Sequence, residues 1–564
     1  MPVINRIVGL FLVLTLYACT TAPPTETGNA TETPIGTTSP TSALPATSTE
    51  TASETAAPPN DSVIIAGQIT ENDTNAPVPY AFVQARNNQG MTITVLSDQH
   101  GEYQIADLPA GQYSLSAHGF GYRRSLTEIV EVEALASSPQ TIHLDLSPQA
   151  DIASQVSGAE WLSLLPDDEA TRQFILDCQG CHQLGWPRQA YNGWPMAGQW
   201  ETSIEKMHGY YGPRSEFPII GPMDIPQTAA WLAQYLTDEA TPPRPLPISP
   251  EAQAMRITEY AFPGIGPHDL VLDGNGQVIV TGMFSDDMYA LDPHSGEFTR
   301  YDLPPNANPR AVELDAQGAW WIVFGNPNQI AQFDPQTEEL TTYSIGMYAH
   351  SIAIDSAGNA WANGHFRANP GKMVRINPQD RTSQVFDVPD NNTSNQTGLP
   401  ISYDLRIDAD DVVWGSDLNW NRIYKLEPQT GAVTHYELPN STSGPRRFDF
   451  DADGNLWIPE FSGGRLAMFN PDSETFTEWA TPTRNAEPYV VKVDQERNVV
   501  WIGYAAANRV ARFDPVSETF VEYPLPTQFA LIRHMAIDEA TGDVWFSYHH
   551  VPTAQDMVAR LKVS

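Results

Sequence analysis

Asp451-Ala452-Asp453-Gly454-Asn455-Leu456-Trp457 decides the fold of more than half of this 564-residue chain. An alternating apolar strand ends at Asp451, Gly454 turns the chain, and Leu456-Trp457 starts the return strand. The aspartate recurs as Asp273, Asp315, Asp355, Asp408, Asp494 and Asp538, each closing an apolar strand. A repeat of about 43 residues holding four short strands is the signature of a β-propeller blade. Seven aspartates predict seven blades. Their carboxylates suit capping of turn amides; calcium binding is the competing reading. Further out, the third strand of six blades ends in a proline turn: Asp292-Pro293, Asp334-Pro335, Asn377-Pro378, Glu427-Pro428, Asn470-Pro471 and Asp514-Pro515. The fourth strand reads like Phe298-Thr299-Arg300-Tyr301-Asp302-Leu303-Pro304. The seventh copy lacks that strand, whereas Ile257-Thr258-Glu259-Tyr260-Ala261-Phe262-Pro263 has its pattern and comes first. Pairing it with the strand near Val558-Ala559-Arg560-Leu561 closes residues 255–564 into a ring and removes the open sheet edge.

Five positions before each aspartate lies a residue expected at the mouth of the innermost strand. These residues are His268, Arg310, His350, Tyr403, Arg446, Tyr489 and Arg533, with no aliphatic residue and no carboxylate among them. A second ring, fourteen or fifteen residues later, reads Gly282, Phe324, Gly364, Asp417, Glu460, Tyr504 and Tyr548. The chain carries 68 acidic and 30 basic residues, a formal net charge of −38. It nevertheless gathers a cationic and aromatic funnel at one face, which favours an anionic or aromatic small-molecule ligand. The competing reading is that these long side chains merely plug a narrow shaft. The acidic balance argues against a nucleic-acid partner, which needs a basic footprint.

Over these residues the repeat resembles the virginiamycin B lyase (streptogramin lyase) family. The matching pieces are Gly454-Asn455-Leu456-Trp457-Ile458-Pro459-Glu460, Asn421-Arg422-Ile423, Ala486-Glu487-Pro488-Tyr489 and Val521-Glu522-Tyr523-Pro524-Leu525-Pro526. The resemblance implies the propeller and, with it, opening of a depsipeptide ring by elimination. In that family glutamates hold a metal and a Glu-Pro-His motif supplies the histidine base. Glu487 and Pro488 match, but the base position is Tyr489. A second histidine position falls on Arg446, and the second glutamate position, near Gly503 to Ala505, holds no carboxylate. A phenol of pKa about 10 is a poor base at neutral pH. These departures weigh against lyase activity.

Cys178-Gln179-Gly180-Cys181-His182 is the sharpest chemical motif in the chain. Two thiols at this spacing can add to the vinyl groups of one haem, and the adjacent histidine is placed as an iron ligand. A thioredoxin-like pair is one rival, but no βαβ pattern surrounds the motif. A zinc site is another, but no further cysteine is near, and His208 alone does not complete a structural set. Helices are predicted over 170–177, running into the motif, and over 226–236, where Trp231, Leu232, Tyr235 and Leu236 form an apolar face. On these features residues 155–240 resemble a small all-α class I cytochrome c. The resemblance implies one covalent haem c, with Cys178, Cys181 and His182 binding it and a methionine as sixth ligand. Met207 is preferred because Trp200 precedes it by seven positions; Met223 and Met196 are the alternatives.

Residues 61–148 show short alternating strands separated by turn residues, the pattern of a small β-sandwich. Strands are predicted at 63–69, 81–85, 97–103 and 108–115. Asp98-Gln99-His100-Gly101-Glu102-Tyr103 and Leu108-Pro109-Ala110-Gly111-Gln112-Tyr113 resemble the carboxypeptidase regulatory-like domain, which implies a spacer or adhesive module; Gly101 and Gly111 are expected to supply tight turns and the two tyrosines to pack on the core. Residues 20–60 are almost wholly Thr, Ser, Pro, Ala, Gly and Glu, a composition that cannot offset its ordering entropy. Residues 1–19 read as a signal segment whose apolar run is too short to span a bilayer. It ends in Leu16-Tyr17-Ala18-Cys19, which resembles a bacterial lipobox and implies lipidation of Cys19; an ordinary secretory signal with a chance cysteine is the alternative. With three cysteines so assigned, none is left for a disulfide.

The expected fold class is multidomain and mainly β: a small sandwich, a small helical haem domain and a seven-bladed propeller. The leading expectation is an electron-transfer protein of the cell envelope, extracytoplasmic and lipid-anchored to the membrane. It would exchange electrons with donor or acceptor proteins while its propeller binds a substrate or redox partner. A lyase acting on a cyclic or polymeric substrate, and a non-catalytic surface binding scaffold, are the alternatives.

Overall fold

The most apolar stretches of each repeat become the two inner strands of each blade, because those strands are buried on both faces. The computed structural model describes residues 63–133, 139–212, 220–365, 370–389, 401–549 and 555–563. Within them Pro267–Leu272, Pro309–Leu314, Ala349–Ile354, Ser402–Ile407 and Pro488–Asp494 each open a four-stranded antiparallel sheet. A fifth-blade sheet starts on the short strand Asp449–Phe450, just after an isolated bridge from Pro445 to Glu460. Leu531–Ile537 opens the seventh. Met255–Ala261 supplies its outer strand, pairing antiparallel with Met557–Val563 so that Ile257 faces Leu561. The ring therefore closes between the first and last strands of the repeat region, as the sequence predicts.

The repeated aspartates cap their turns. Asp315 accepts hydrogen bonds from the Gln317 and Ala319 amides through Oδ1, and from the Trp321 indole through Oδ2 at 2.9 Å. Asp355 with Trp361, Asp408 with Trp414 and Asp451 with Trp457 repeat this arrangement. The carboxylate thus does two jobs, ending one strand and fixing the buried indole of the next.

The small β-sandwich forms, with differences from the predicted strands at its turns. The chain turns at 97–101 instead of extending, with Gly101 in the turn role expected of it: Asp98 accepts from the His100 and Glu102 amides, and Gly101 adopts φ +75°. The strands lie on either side, Met91–Leu96 and Glu102–Leu108. Likewise Pro109 and Ala110 interrupt 108–115, so a strand begins only at Gly111–His118. Tyr103 and Tyr113 pack into the core as expected. Met91–Leu96 also pairs antiparallel with the outer edge of Met255–Ala261, Glu259 facing Thr92. The seventh blade and one sandwich sheet are therefore one eight-stranded sheet.

Between sandwich and propeller the chain is helical: α1 (Gly158–Leu162), α2 (Glu169–Cys178), α3 (Gly185–Tyr191), α4 (Ala197–Tyr211), α5 (Ile225–Tyr235) and α6 (Pro250–Gln253). Asp168 and Asp224 cap α2 and α5, the two helices the sequence predicts. They meet where Phe174 packs edge to face on Trp231, with ring centroids 5.7 Å apart. Among the described residues no helix is long and apolar enough to cross a membrane. Cys19, the signal segment and the Thr/Pro/Ser-rich linker lie outside the described residues.

Candidate functional site

The helical segment is bonded to the propeller face where the inner strands begin. Gln183, 2% exposed, is the central peg. Its amide Nε2 lies 2.9 Å from the Ala505 and Ala530 carbonyls and from Asn508 Oδ1, while its Oε1 accepts from the Gly158 amide. The Ala159 amide donates to the Ala506 carbonyl at 3.0 Å. Ser441 and Thr442 donate to the Glu169 carboxylate, and Arg484 to the Leu165 carbonyl.

This seating brings the Cys-x-x-Cys-His loop onto the shaft entrance. A β-carbon on Gly180 would lie 3.2 Å from the Arg446 guanidinium, so a side chain there would push that group back by a few tenths of an ångström. Burial raises the Cys181 thiol, and Arg533 and Arg446 oppose that rise. Burial, Asp177 and Cys181 push Cys178 well up. Burial also lowers His182, keeping its imidazole neutral. The His182 Nδ1 lies 3.2 Å from the Gln183 carbonyl; donation there leaves the lone pair on Nε2.

These groups suit a covalent haem. Cys178, Cys181 and His182 are half-buried on one loop, with both thiols free. The same helical segment holds buried polar nitrogens without a hydrogen-bond partner: Arg188 Nε, Trp194 Nε1, Trp200 Nε1 and His208 Nε2. Buried donors rarely stay unpaired. Of the predicted sixth ligands, Met207 is half-buried on α4, Met223 is half-buried and Met196 is 72% exposed. Met223 lines a cleft of about 910 Å³ between α2, α5 and the propeller residues Leu418, Asn419 and Trp420. His208, on α4, is a further nitrogen donor in this segment.

Below the loop the predicted ring converges. In six blades the inner strand shifts register where the ring residue stands: His268, Arg310, His350, Tyr403, Tyr489 and Arg533 each occupy a β-bulge. A bulge re-aims side chains and frees backbone amides. The opposing strand answers those amides with short polar side chains. Thr281 Oγ1 accepts from the Asp269 amide, Asn363 Oδ1 from His350 and Ser351, and Ser416 Oγ from Asp404. Arg446, in the remaining blade, is 2% exposed and donates to the Tyr403 hydroxyl at 2.8 Å. Its guanidinium lies 3.6 Å from the Phe461 ring centre and 4.4 Å from that of Tyr489. The Tyr403 and Tyr489 hydroxyls hydrogen-bond to each other. Burial raises both phenols, but for Tyr489 the fields of Arg533, Arg446 and Arg447, with the Tyr403 hydrogen bond, outweigh burial and pull it below its ordinary value.

The sequence reading missed the partners standing one residue along the bulge. Asp269 bonds His268 Nδ1 at 2.7 Å and accepts from Arg447 at 2.8 Å, with His534 at 3.8 Å. His365 stacks on His350 with ring centroids 4.3 Å apart. Burial lowers His268 to about 4 and His365 to about 3, so both are neutral imidazoles near pH 7. Glu460 and Glu487 are fully buried, and neither carboxyl oxygen of Glu487 has a hydrogen-bond partner. Burial, with Glu478 nearby, raises Glu460 to about 8; burial pushes Glu487 well up against the pull of Arg446. Among the described residues no group of three or more His, Cys, Asp or Glu is arranged to hold a metal ion.

Residues 64–145 match the Carboxypeptidase regulatory-like domain family. The chain is also similar to lactonase drp35 of Staphylococcus aureus strain USA300, 22% identical over 248 residues, which is 40% of this chain and 74% of that protein. Lactonase drp35 of Staphylococcus epidermidis is 21% identical over 252 residues, again 40% and 74%. Among solved structures, a streptogramin B lyase aligns with 56% of this chain and 100% of its own at TM-score 0.49 and 21% identity. A virginiamycin B lyase from Staphylococcus aureus aligns with 55% and 100% at TM-score 0.48 and 20% identity.

Proposed function

We propose that this chain is an exported, lipid-anchored electron-transfer protein whose one haem c is linked through Cys178 and Cys181 at the entrance of the propeller shaft. What supports the reading is that both thiols and His182 stand half-buried on one loop, whose Gly180 lies against the Arg446 guanidinium. A haem so held supplies one-electron exchange between ferrous and ferric iron with donor and acceptor proteins. His182 would hold the iron through its ring nitrogen, and Met207 would be the preferred second ligand. Arg446 and Arg533 put positive charge beside the motif, which favours the reduced state. The full chain expressed with haem-maturation machinery is expected to give a haem-stained band on a denaturing gel. Cys178→Ala with Cys181→Ala should give none. Colourless wild-type protein with both thiols open to alkylation would refute the assignment.

The second reading is ring opening of a cyclic ester, favoured by Tyr489. Three arginines and the Tyr403 hydrogen bond move its phenol towards the range of a usable base. The similar proteins include lactonases and a streptogramin lyase. Incubation with a streptogramin is expected to return it intact; a linear, non-hydrolysed product that disappears with Tyr489→Phe would reverse the ranking.

A further inference from the structure

The cleft of about 910 Å³ between α2, α5 and the propeller is separate from the haem loop: none of Cys178, Cys181, His182 and the preferred ligand Met207 lines it. Its walls are apolar and aromatic. On the helical side Phe174, 7% exposed, packs edge to face on the half-buried Trp231. On the propeller side Trp420, 5% exposed, stands with Leu418 and Leu438. The Arg422 guanidinium lies against the Trp420 ring, 4.6 Å from its centre, and is itself paired with Asp417 at 3.2 Å. The Trp420 indole nitrogen is buried without an acceptor.

Among the described residues, every charged side chain that lines the cleft is an acid, and no lysine, arginine or histidine joins them. Glu169 is taken by Ser441, Thr442 and Arg172. Asp177, buried in the wall, accepts from Gln173 and from the Gly221 amide. Asp224 and Glu437 stand exposed at the rim. A cleft lined by one sign of charge concentrates ligands of the other sign, so this one draws cations and repels anions. Aromatic walls inside an acidic rim add cation–π attraction and bury a flat apolar body at the same time. A buried donor rarely stays unpaired, so an oxygen on that body suits the Trp420 indole.

From this juxtaposition of an acidic rim, aromatic walls and an unpaired indole we infer that the cleft is a binding site for a small aromatic amine. Its ammonium group lies at the rim with Asp224 and Glu437, and its ring lies among Phe174, Trp231 and Trp420. The site does not depend on the haem. Isothermal titration of the full-length chain with tyramine, 4-ethylphenol and 4-hydroxyphenylacetate tests it, because the three share one ring and differ in charge. Tyramine should saturate one site at sub-millimolar concentration, 4-ethylphenol should bind at least tenfold more weakly, and the anion should not bind. Asp224→Asn/Glu437→Gln should weaken tyramine tenfold or more; asparagine caps a helix as well as aspartate does, so α5 is kept. Trp231→Leu should weaken it by a similar factor. Glu297→Gln, which removes an exposed acid of blade one outside the cleft, should leave it unchanged. Equal binding of 4-ethylphenol, binding of the anion, no tyramine binding by folded protein, or wild-type affinity in both cleft variants would overturn the inference. So would a shift of the haem absorption band on titration, which would put the amine on the iron. A colourless Cys178→Ala/Cys181→Ala chain that still binds tyramine keeps the site whatever becomes of the haem assignment.

Discussion

Gln183→Leu is expected to lower the unfolding free energy by about 3 kcal/mol and to loosen the helical segment from the propeller. The leucine has nearly the same volume, so the loss is one of hydrogen bonding, not packing. Gln183 is 2% exposed and its amide serves two main-chain carbonyls, the Asn508 side chain and the Gly158 amide. An amide nitrogen has two hydrogens for these three acceptors, so the contacts are shared. Each buried group left without a partner costs about 1–3 kcal/mol. Asn508 keeps the Ala530 amide, which limits the damage on that side. Urea unfolding gives the magnitude, and hydrogen exchange gives the location. Amides of Gly158 and Ala159 should exchange faster in the variant while blade amides far from the contact, such as Ile322, stay protected. Unchanged stability and unchanged exchange would mean that the helical segment is held elsewhere.

The ring of blades was legible in the sequence because its signals are local. The aspartate turn, the following tryptophan and the proline turn each lie within a few residues, and the period fixes the shaft positions five residues earlier. Closure by Ile257 to Phe262 was legible for the same reason: a fourth-strand pattern stood without its blade. What the sequence hid is non-local. Gln183 lies more than 300 residues from the carbonyls it serves, and no pattern around it differs from an ordinary loop. Met91–Leu96 carries no mark that it will extend the seventh blade. In the sandwich, Gly101 was read as a tight turn, yet a strand was drawn through it from 97 to 103 although an Asp-x-x-Gly step ends one. The shaft reading stopped one residue short because strand alternation puts neighbouring side chains on opposite faces. The bulges break that alternation, so His268 and Asp269 engage each other in the same space.

That break makes Asp269 the residue whose loss should cost most. Asp269→Asn is expected to destabilise the chain by about 3–5 kcal/mol, the usual consequence of removing one member of a buried ion pair. The carboxylate joins blade one to blade five through Arg447 and to blade seven through His534, and it holds the His268 ring. Burial acts to raise Asp269, but Arg447, His534 and His268 overcome it and hold the acid far below the usual carboxylate range. A depressed carboxylate contributes stability above the unfolded value, near 3.9, that is lost as pH falls towards the folded one. The difference between wild type and Asp269→Asn in denaturant unfolding should therefore be constant from pH 5 to 8 and shrink below pH 4. Adding Arg447→Met to Asp269→Asn should recover part of the loss, because the stranded guanidinium is then gone. A single variant within about 1 kcal/mol of wild type, or a double variant no better than the single, would show that the pair is not what binds the blades across the shaft.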